Sequence, residues 1–296
     1  MKVKDFSDLI ILAMLWGASF LFMRVSVPDF GAIPLMLVRV TLATLFLLPI
    51  ILWKKRQHEI INNLKPIAFV GIVGSAIPFT LIAYSTLYVT SGFASVVNAA
   101  TPIFSALVAY IWLGQRLTRL AVIGLVIGII GVVLLVWDKI GFQEANLFLA
   151  VIAGISATIF YGISANYTKK YLSNVKPLVL AAGSQISASL VLLPLSLFFL
   201  PEVMPNTEAI NAVIVLGIVC TGFAYIIFFR LISALGPTKA ISVTYLIPVF
   251  GLFWGAIFLQ EKITSTMLFG CLLILLGVAL TTGLLNFKRK ARVIPS

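Results

Sequence analysis

The stretch Val96–Leu113 with the turn that follows it, ending TPIFSALVAYIWLGQRLT, returns later in the chain as Tyr245–Thr264, ending YLIPVFGLFWGAIFLQEKIT. The spacing is 146 residues. It places Pro102 on Pro248, Gln115 on Glu261, Arg116 on Lys262, Thr118 on Thr264, Gly124 on Gly270 and Gly131 on Gly277. The same spacing carries Gly71-Ile72-Val73 onto Gly217-Ile218-Val219, Phe79 onto Tyr225 and Arg39 onto Gln185. A spacing of 145 carries Trp16-Gly17-Ala18-Ser19 onto Tyr161-Gly162-Ile163-Ser164. So many matches at one offset make the chain two copies of one unit, and any fold must be built from that unit twice.

The unit is apolar. Of the 296 residues, 61% are hydrophobic and 10% charged, whereas a soluble domain carries about 25% charged residues. Ten apolar runs are each close to the ~20 residues needed to cross hydrocarbon: 9–27, 31–53, 65–87, 91–113, 119–137, 147–168, 177–200, 210–231, 239–259 and 265–286. The first run reads as a span and not as a cleaved leader. The connections are short, so the chain has no room for a soluble catalytic domain. It also lacks a GxxxxGK[ST] phosphate loop, which excludes ATP hydrolysis by that motif. The reading is an all-α polytopic membrane protein of ten transmembrane helices. Residues 1–140 form the first five-helix repeat and 141–296 the second. An odd number of spans per repeat makes the second copy enter from the opposite side, giving inverted repeats, a construction of secondary transporters.

A net charge of +12 would suggest nucleic acid in a soluble protein. Here the cations sit in short runs at span ends: Lys2, Lys4, Lys54, Lys55, Arg56, Lys65, Arg116, Arg119, Lys169, Lys170, Lys176, Lys239 and the tail Lys288, Arg289, Lys290, Arg292. The opposite ends carry Lys139 and Lys262 among Asp29, Asp138, Glu144, Glu202, Glu208 and Glu261. This asymmetry predicts both termini in the cytoplasm. It leaves a lipid bilayer, not nucleic acid, as the surrounding partner. Cys220 and Cys271 lie within apolar runs, where they read as small packing residues.

Ten spans in two halves, WGASF in the first span and a late proline followed by LxE-K in the ninth resemble the EamA family of the drug/metabolite transporter superfamily. The resemblance covers nearly the whole chain, and it implies a carrier that moves small metabolites, often amino acids. Gln115 departs from the pattern, since the second half keeps Glu261 at that position.

Polar groups deep in a span face a cavity or a partner helix. Asn98, Thr101, Pro102 and Ser105 share one face of the fourth span. Thr244, Ile247, Pro248 and Gly251 mirror them on the ninth. A proline inside a span removes a backbone donor, so both helices are expected to kink around a central substrate site. Trp16, Phe20, Phe79, Tyr84, Tyr161, Tyr225 and Tyr245 supply aromatic walls for an apolar or cationic group. Trp53, Trp112 and Trp137 stand at span ends as interface anchors. Arg39 is read as a structural cation ahead of a carboxylate ligand, and Arg24, Lys169 and Arg230 as cations reaching for the interface. All nine acidic residues and the single histidine, His58, fall in loops or at span ends. The spans therefore hold no proton relay, and neither catalytic groups nor a metal or cofactor site is expected. Gly124, Gly128 and Gly131 contain GxxxG and should pack against Gly270 and Gly277, within one chain or between two.

These readings converge on a secondary transporter of small organic metabolites. The expected activity is amino-acid export, of aromatic or other zwitterionic substrates, by alternating access in a monomer or a homodimer. The alternative is a lipid-handling protein or a structural subunit of a larger complex, which leaves the mirrored prolines and aromatics without a role.

Overall fold

A computed structural model of the chain describes residues 3–137, 145–235 and 240–283. Ten apolar helices account for nearly all of it: α1 Val3–Phe30, α2 Ala32–Trp53, α3 Leu64–Tyr88, α4 Ser91–Leu113, α5 Arg119–Trp137, α6 Ala145–Tyr171, α7 Pro177–Ser196, α8 Thr207–Leu235, α9 Val243–Phe258 and α10 Ser265–Thr281. The first eight are each long enough to span a bilayer, and α9 and α10 are shorter. His58 lies on a short helix, Gln57–Asn62, between α2 and α3. The charges expected at Lys2, Asp138, Lys139, Glu144, Lys239, Lys288, Arg289, Lys290 and Arg292 lie outside the described residues.

The helix starts follow from short polar residues that cap free N–H groups. Thr118 Oγ1 accepts from Ala121 N at 3.1 Å at the start of α5, and Thr264 Oγ1 accepts from Met267 N at 3.2 Å at the start of α10. The repeated threonine of the sequence is thus a repeated N-cap. Gly114 ends α4 with φ 61°, and its counterpart Gln260 follows α9 with φ 53°. Both turns send an N–H back to the helix just finished, Gln115 N to Ala109 O and Glu261 N to Gly255 O.

The two repeats interlock. Helix α1 packs on α8 and α9 of the second repeat, and α6 packs on α3 and α4 of the first. Three pairs join equivalent helices directly: α2 with α7, α4 with α9 and α5 with α10. The last pair settles the glycine question in favour of contact within one chain. A Cβ on Gly277 would lie 2.6 Å from Gly124 O and 2.6 Å from Gly128 Cα, and one on Gly131 would lie 3.0 Å from Gly270 O. Glycine alone allows these backbones to approach so closely. The outward faces of α5 and α10 carry exposed Val122, Ile123, Val126, Leu268, Phe269 and Leu272, an apolar belt suited to hydrocarbon.

Both prolines do more than kink their helices. Helix α4 is broken into Ser91–Asn98 and Thr101–Leu113, separated by a turn at Ala99 and Ala100. Helix α9 opens with a tight 3₁₀ stretch, Ile241–Tyr245, before the α-helical Ile247–Phe258. Each proline stands at the start of the second piece, where its missing N–H costs least. A second matched irregularity was not foreseen. Ile72–Ala76 of α3 and Ile218–Phe223 of α8 are π-helical turns at equivalent repeat positions. They begin one residue after the repeated Gly71 and Gly217.

Two of the cations near span ends have partners within the chain. The Arg24 guanidinium donates to the Thr86 carbonyl of α3. Arg230 is paired with Asp8 and, at 3.4 Å, with Asp5, because α1 extends past its apolar run and brings both carboxylates to α8.

Candidate functional site

At the break in α4 the chain leaves polar groups inside the bundle. Thr101 Oγ1 donates to the Asn98 carbonyl at 2.7 Å, within its own helix. Asn98 Oδ1 is buried without a hydrogen-bond partner. An acceptor so placed is costly unless something else satisfies it. Pro248 is buried, and the face of α9 that carries it packs tightly. Gly251 abuts Ser95 of α4, and a Cβ on Gly17 of α1 would lie 2.9 Å from Gly251 N. On the matching face of α4, Ser105 meets α6, where Asn166 Nδ2 donates to its carbonyl at 2.9 Å.

The aromatic candidates meet in two equivalent pairs. Trp16 of α1 lies edge-on to Tyr225 of α8, with centroids 6.4 Å apart and planes at 79°. Tyr161 of α6 lies edge-on to Phe79 of α3, at 6.3 Å and 64°. The repeat maps Trp16 onto Tyr161 and Phe79 onto Tyr225, so each pair is the image of the other across the two halves. Edge-to-face packing is the preferred arrangement of such rings.

The π-turns carry a second matched contact. Arg39 Nε of α2 donates to Thr221 Oγ1 in the α8 turn at 3.0 Å. Gln185 Nε2 of α7 donates to Ser75 Oγ in the α3 turn at 3.1 Å. Residues 39 and 75 map onto 185 and 221, so these are one contact made twice. The turn supplies its own support, since Thr221 Oγ1 donates to the Leu216 carbonyl at 2.8 Å. The neighbouring glycines let the helices close in. A Cβ on Gly217 would lie 2.9 Å from Arg39 O, and one on Gly71 would lie 2.5 Å from Ser184 O.

Arg39 also sits 3.9 Å above the Phe79 ring. Its Nη1 faces Met23 Sδ at 3.6 Å and Met36 Sδ at 3.9 Å. Arg39, Phe79 and Tyr161 therefore form one connected group drawn from α2, α3 and α6, and Trp16 and Tyr225 form its counterpart pair from α1 and α8. The other candidates lie apart from it. Phe20 is buried in the main core. Tyr84 leans on Tyr88 at 5.4 Å. Tyr245 shares a hydrogen bond of 2.6 Å with Thr282, and Thr244 is half-buried beside it. Two cavities are described. One of about 520 Å³ lies between α1, α8 and the end of α9, beside Phe22 and Asn211. One of about 670 Å³ lies between the turn after α1 and residues 199–206. No candidate residue lines either.

Glu261 is the group that the sequence left without a role. Its carboxylate accepts from Ser91 N at 2.7 Å, Ser91 Oγ at 2.9 Å and Gly92 N at 3.0 Å. It caps the start of α4 from the other repeat, where the helix dipole favours a negative charge. Its counterpart Gln115 is exposed.

A family model described as the EamA-like transporter family matches the chain twice, over residues 8–137 and 148–283. An uncharacterized transporter of Archaeoglobus fulgidus is 28% identical over 93% of this chain and 98% of that protein. The probable terminal-alkyne amino-acid exporter of Streptantibioticus cattleyicolor is 24% identical over 92% of this chain and 91% of that protein. One solved crystal structure shares the fold with a TM-score of 0.67, at 18% identity over 97% of this chain and all of that one. With both of its halves matched, this chain belongs to the EamA-like transporter family.

Proposed function

We propose that the protein is a secondary carrier that exports amino acids, aromatic or otherwise zwitterionic, by alternating access without ATP. The observation that carries this reading is the matched pair of discontinuous helices, α4 broken at Ala99–Ala100 and α9 opening in a 3₁₀ stretch, with the two repeats interlocked around them. Broken helices paired across inverted repeats are how carriers expose one site to two sides in turn. The repeats, 1–140 and 141–296, act as the two moving units. Trp16, Phe79, Tyr161 and Tyr225 wall the substrate, the break at Asn98, Thr101 and Pro102 supplies polar contacts, and Thr244, Tyr245 and Pro248 act from the mirrored side. Phe20 and Tyr84 border the path. The amino-acid class draws support from the named exporter among the relatives.

The test is counterflow in proteoliposomes. Purified protein alone should exchange a labelled aromatic amino acid with no imposed ion gradient, and Pro102→Ala and Pro248→Ala should each slow exchange more than they lower folded yield. Absence of exchange without a partner protein would favour a subunit of a larger complex. The same reading has both termini in the cytoplasm of a bacterial cell and the helices in its inner membrane, which the Lys and Arg at one set of span ends support. A cysteine at Lys55 should then resist an impermeant thiol reagent in intact cells while one at Glu202 reacts, and the reverse pattern would invert the orientation.

A further inference from the structure

We propose that Arg39 is the anion subsite of this carrier and takes the carboxylate of the substrate. This deepens the carrier reading and rests on it. Arg39 is 6% exposed and stands in the interior of α2. A charge in such a place normally has a countercharge, because desolvating it unpaired costs several kcal/mol. Among the described residues the ion pairs are Arg56 with Glu59 and Arg230 with Asp5 and Asp8, and none involves Arg39. Its Nη1 faces only thioether sulfurs, which are weak acceptors.

The second repeat shows what the architecture needs at this position. Gln185 makes the equivalent bond to Ser75 with a neutral amide, fully buried. The link between α2 and the π-turn therefore requires a donor and not a charge. The positive charge of Arg39 is not needed for that link, and beyond the Phe79 ring beneath it an anion is the ligand that would use it. A carboxylate is planar and bidentate and matches the guanidinium fork. Met23 and Met36 are flexible side chains that can yield to it. Phe79, edge-on to Tyr161, lies against the guanidinium, and this pair and its counterpart Trp16–Tyr225 would hold the apolar remainder of the substrate.

The test compares an aromatic amino acid with its amide and with the corresponding amine, in counterflow and in thermal stabilisation of the purified protein. The wild type should prefer the carboxylate form by roughly tenfold or more, the factor expected for one charge-assisted hydrogen-bonded pair. Arg39→Gln copies the residue of the mirrored position and should reduce that preference to within about twofold while the protein still moves the amine. Arg39→Lys keeps the charge and should retain a preference between the two. A wild type that moves the amide as fast as the acid overturns the proposal and leaves the carrier reading intact, whether or not the variants fold. An Arg39→Gln protein that still discriminates does the same. Absence of flux with all three probes removes the amino-acid reading and this proposal together.

Discussion

The two repeats make the same contacts with different chemistry. Across the core, α2 reaches the α8 π-turn through Arg39 and Thr221, and α7 reaches the α3 π-turn through Gln185 and Ser75. At the ends of α4 and α9, the same left-handed turn presents exposed Gln115 in one half and hydrogen-bonded Glu261 in the other. Backbone geometry is shared because it solves one packing problem twice. Charge is not shared, because inverted copies put equivalent residues at opposite ends of the molecule. Glu261 joins α9 to the start of α4 at only one end. The difference teaches that the repeats agree on how to fold and disagree on where to hold charge.

The strongest test of that asymmetry is Glu261→Ala. It removes three hydrogen bonds to a carboxylate and the favourable charge at a helix start, and should cost about 3 kcal/mol of stability in detergent. Gln115→Glu, on the exposed mirrored turn, should change stability by less than about 0.5 kcal/mol. Equal effects at the two turns would erase the distinction. Thr221→Ala comes next. It strips the acceptor from a buried guanidinium and should cost about 2 kcal/mol, whereas Ser75→Ala, which strips it from a neutral amide, should cost about 1 kcal/mol. Denaturant midpoints of the two variants would show a reversed order if the charge on Arg39 were already compensated. The smallest effect lies at Gln260, a non-glycine residue at φ 53° where the first half uses Gly114. Gln260→Gly should gain about 0.5 kcal/mol, the relief of left-handed strain less the added freedom of the unfolded chain, and Gly114→Gln should lose a similar amount. A loss at Gln260→Gly would mean that its side chain, not its backbone, holds the turn.

Several of these features were legible in the residues. The ten spans followed from hydrophobic runs, and the breaks in α4 and α9 from Pro102 and Pro248, since proline acts on its own backbone. The α5–α10 contact followed from repeated glycines. The aromatic pairs were visible only as matched positions, because no rule of spacing joins Trp16 to Tyr225. The π-turns were marked by the repeated Gly-Ile-Val but not identified, since one extra residue in a helical turn leaves no apolar signature. The partners of Arg24, Arg39 and Glu261 stayed hidden for a different reason. Each lies far along the chain on a helix from elsewhere in the bundle, and local periodicity carries no information about such pairings. The partners of Arg230, Asp5 and Asp8, stayed hidden because they precede the first apolar run and read as loop residues.

The exchange of partners between repeats also bears on how the protein is made. Helix α1 leaves the ribosome before α8 and α9, yet most of the surface it packs against belongs to those two helices. Until those helices are inserted, the face around Gly17, which closes on Phe250 and Gly251 in the finished bundle, has only lipid or transient neighbours. Assembly is therefore paced by the end of synthesis. A chain halted after its first repeat would hold five inserted helices, with the α1 face and the α4 break both unsealed, and so would present quality control with a surface that the finished protein never shows.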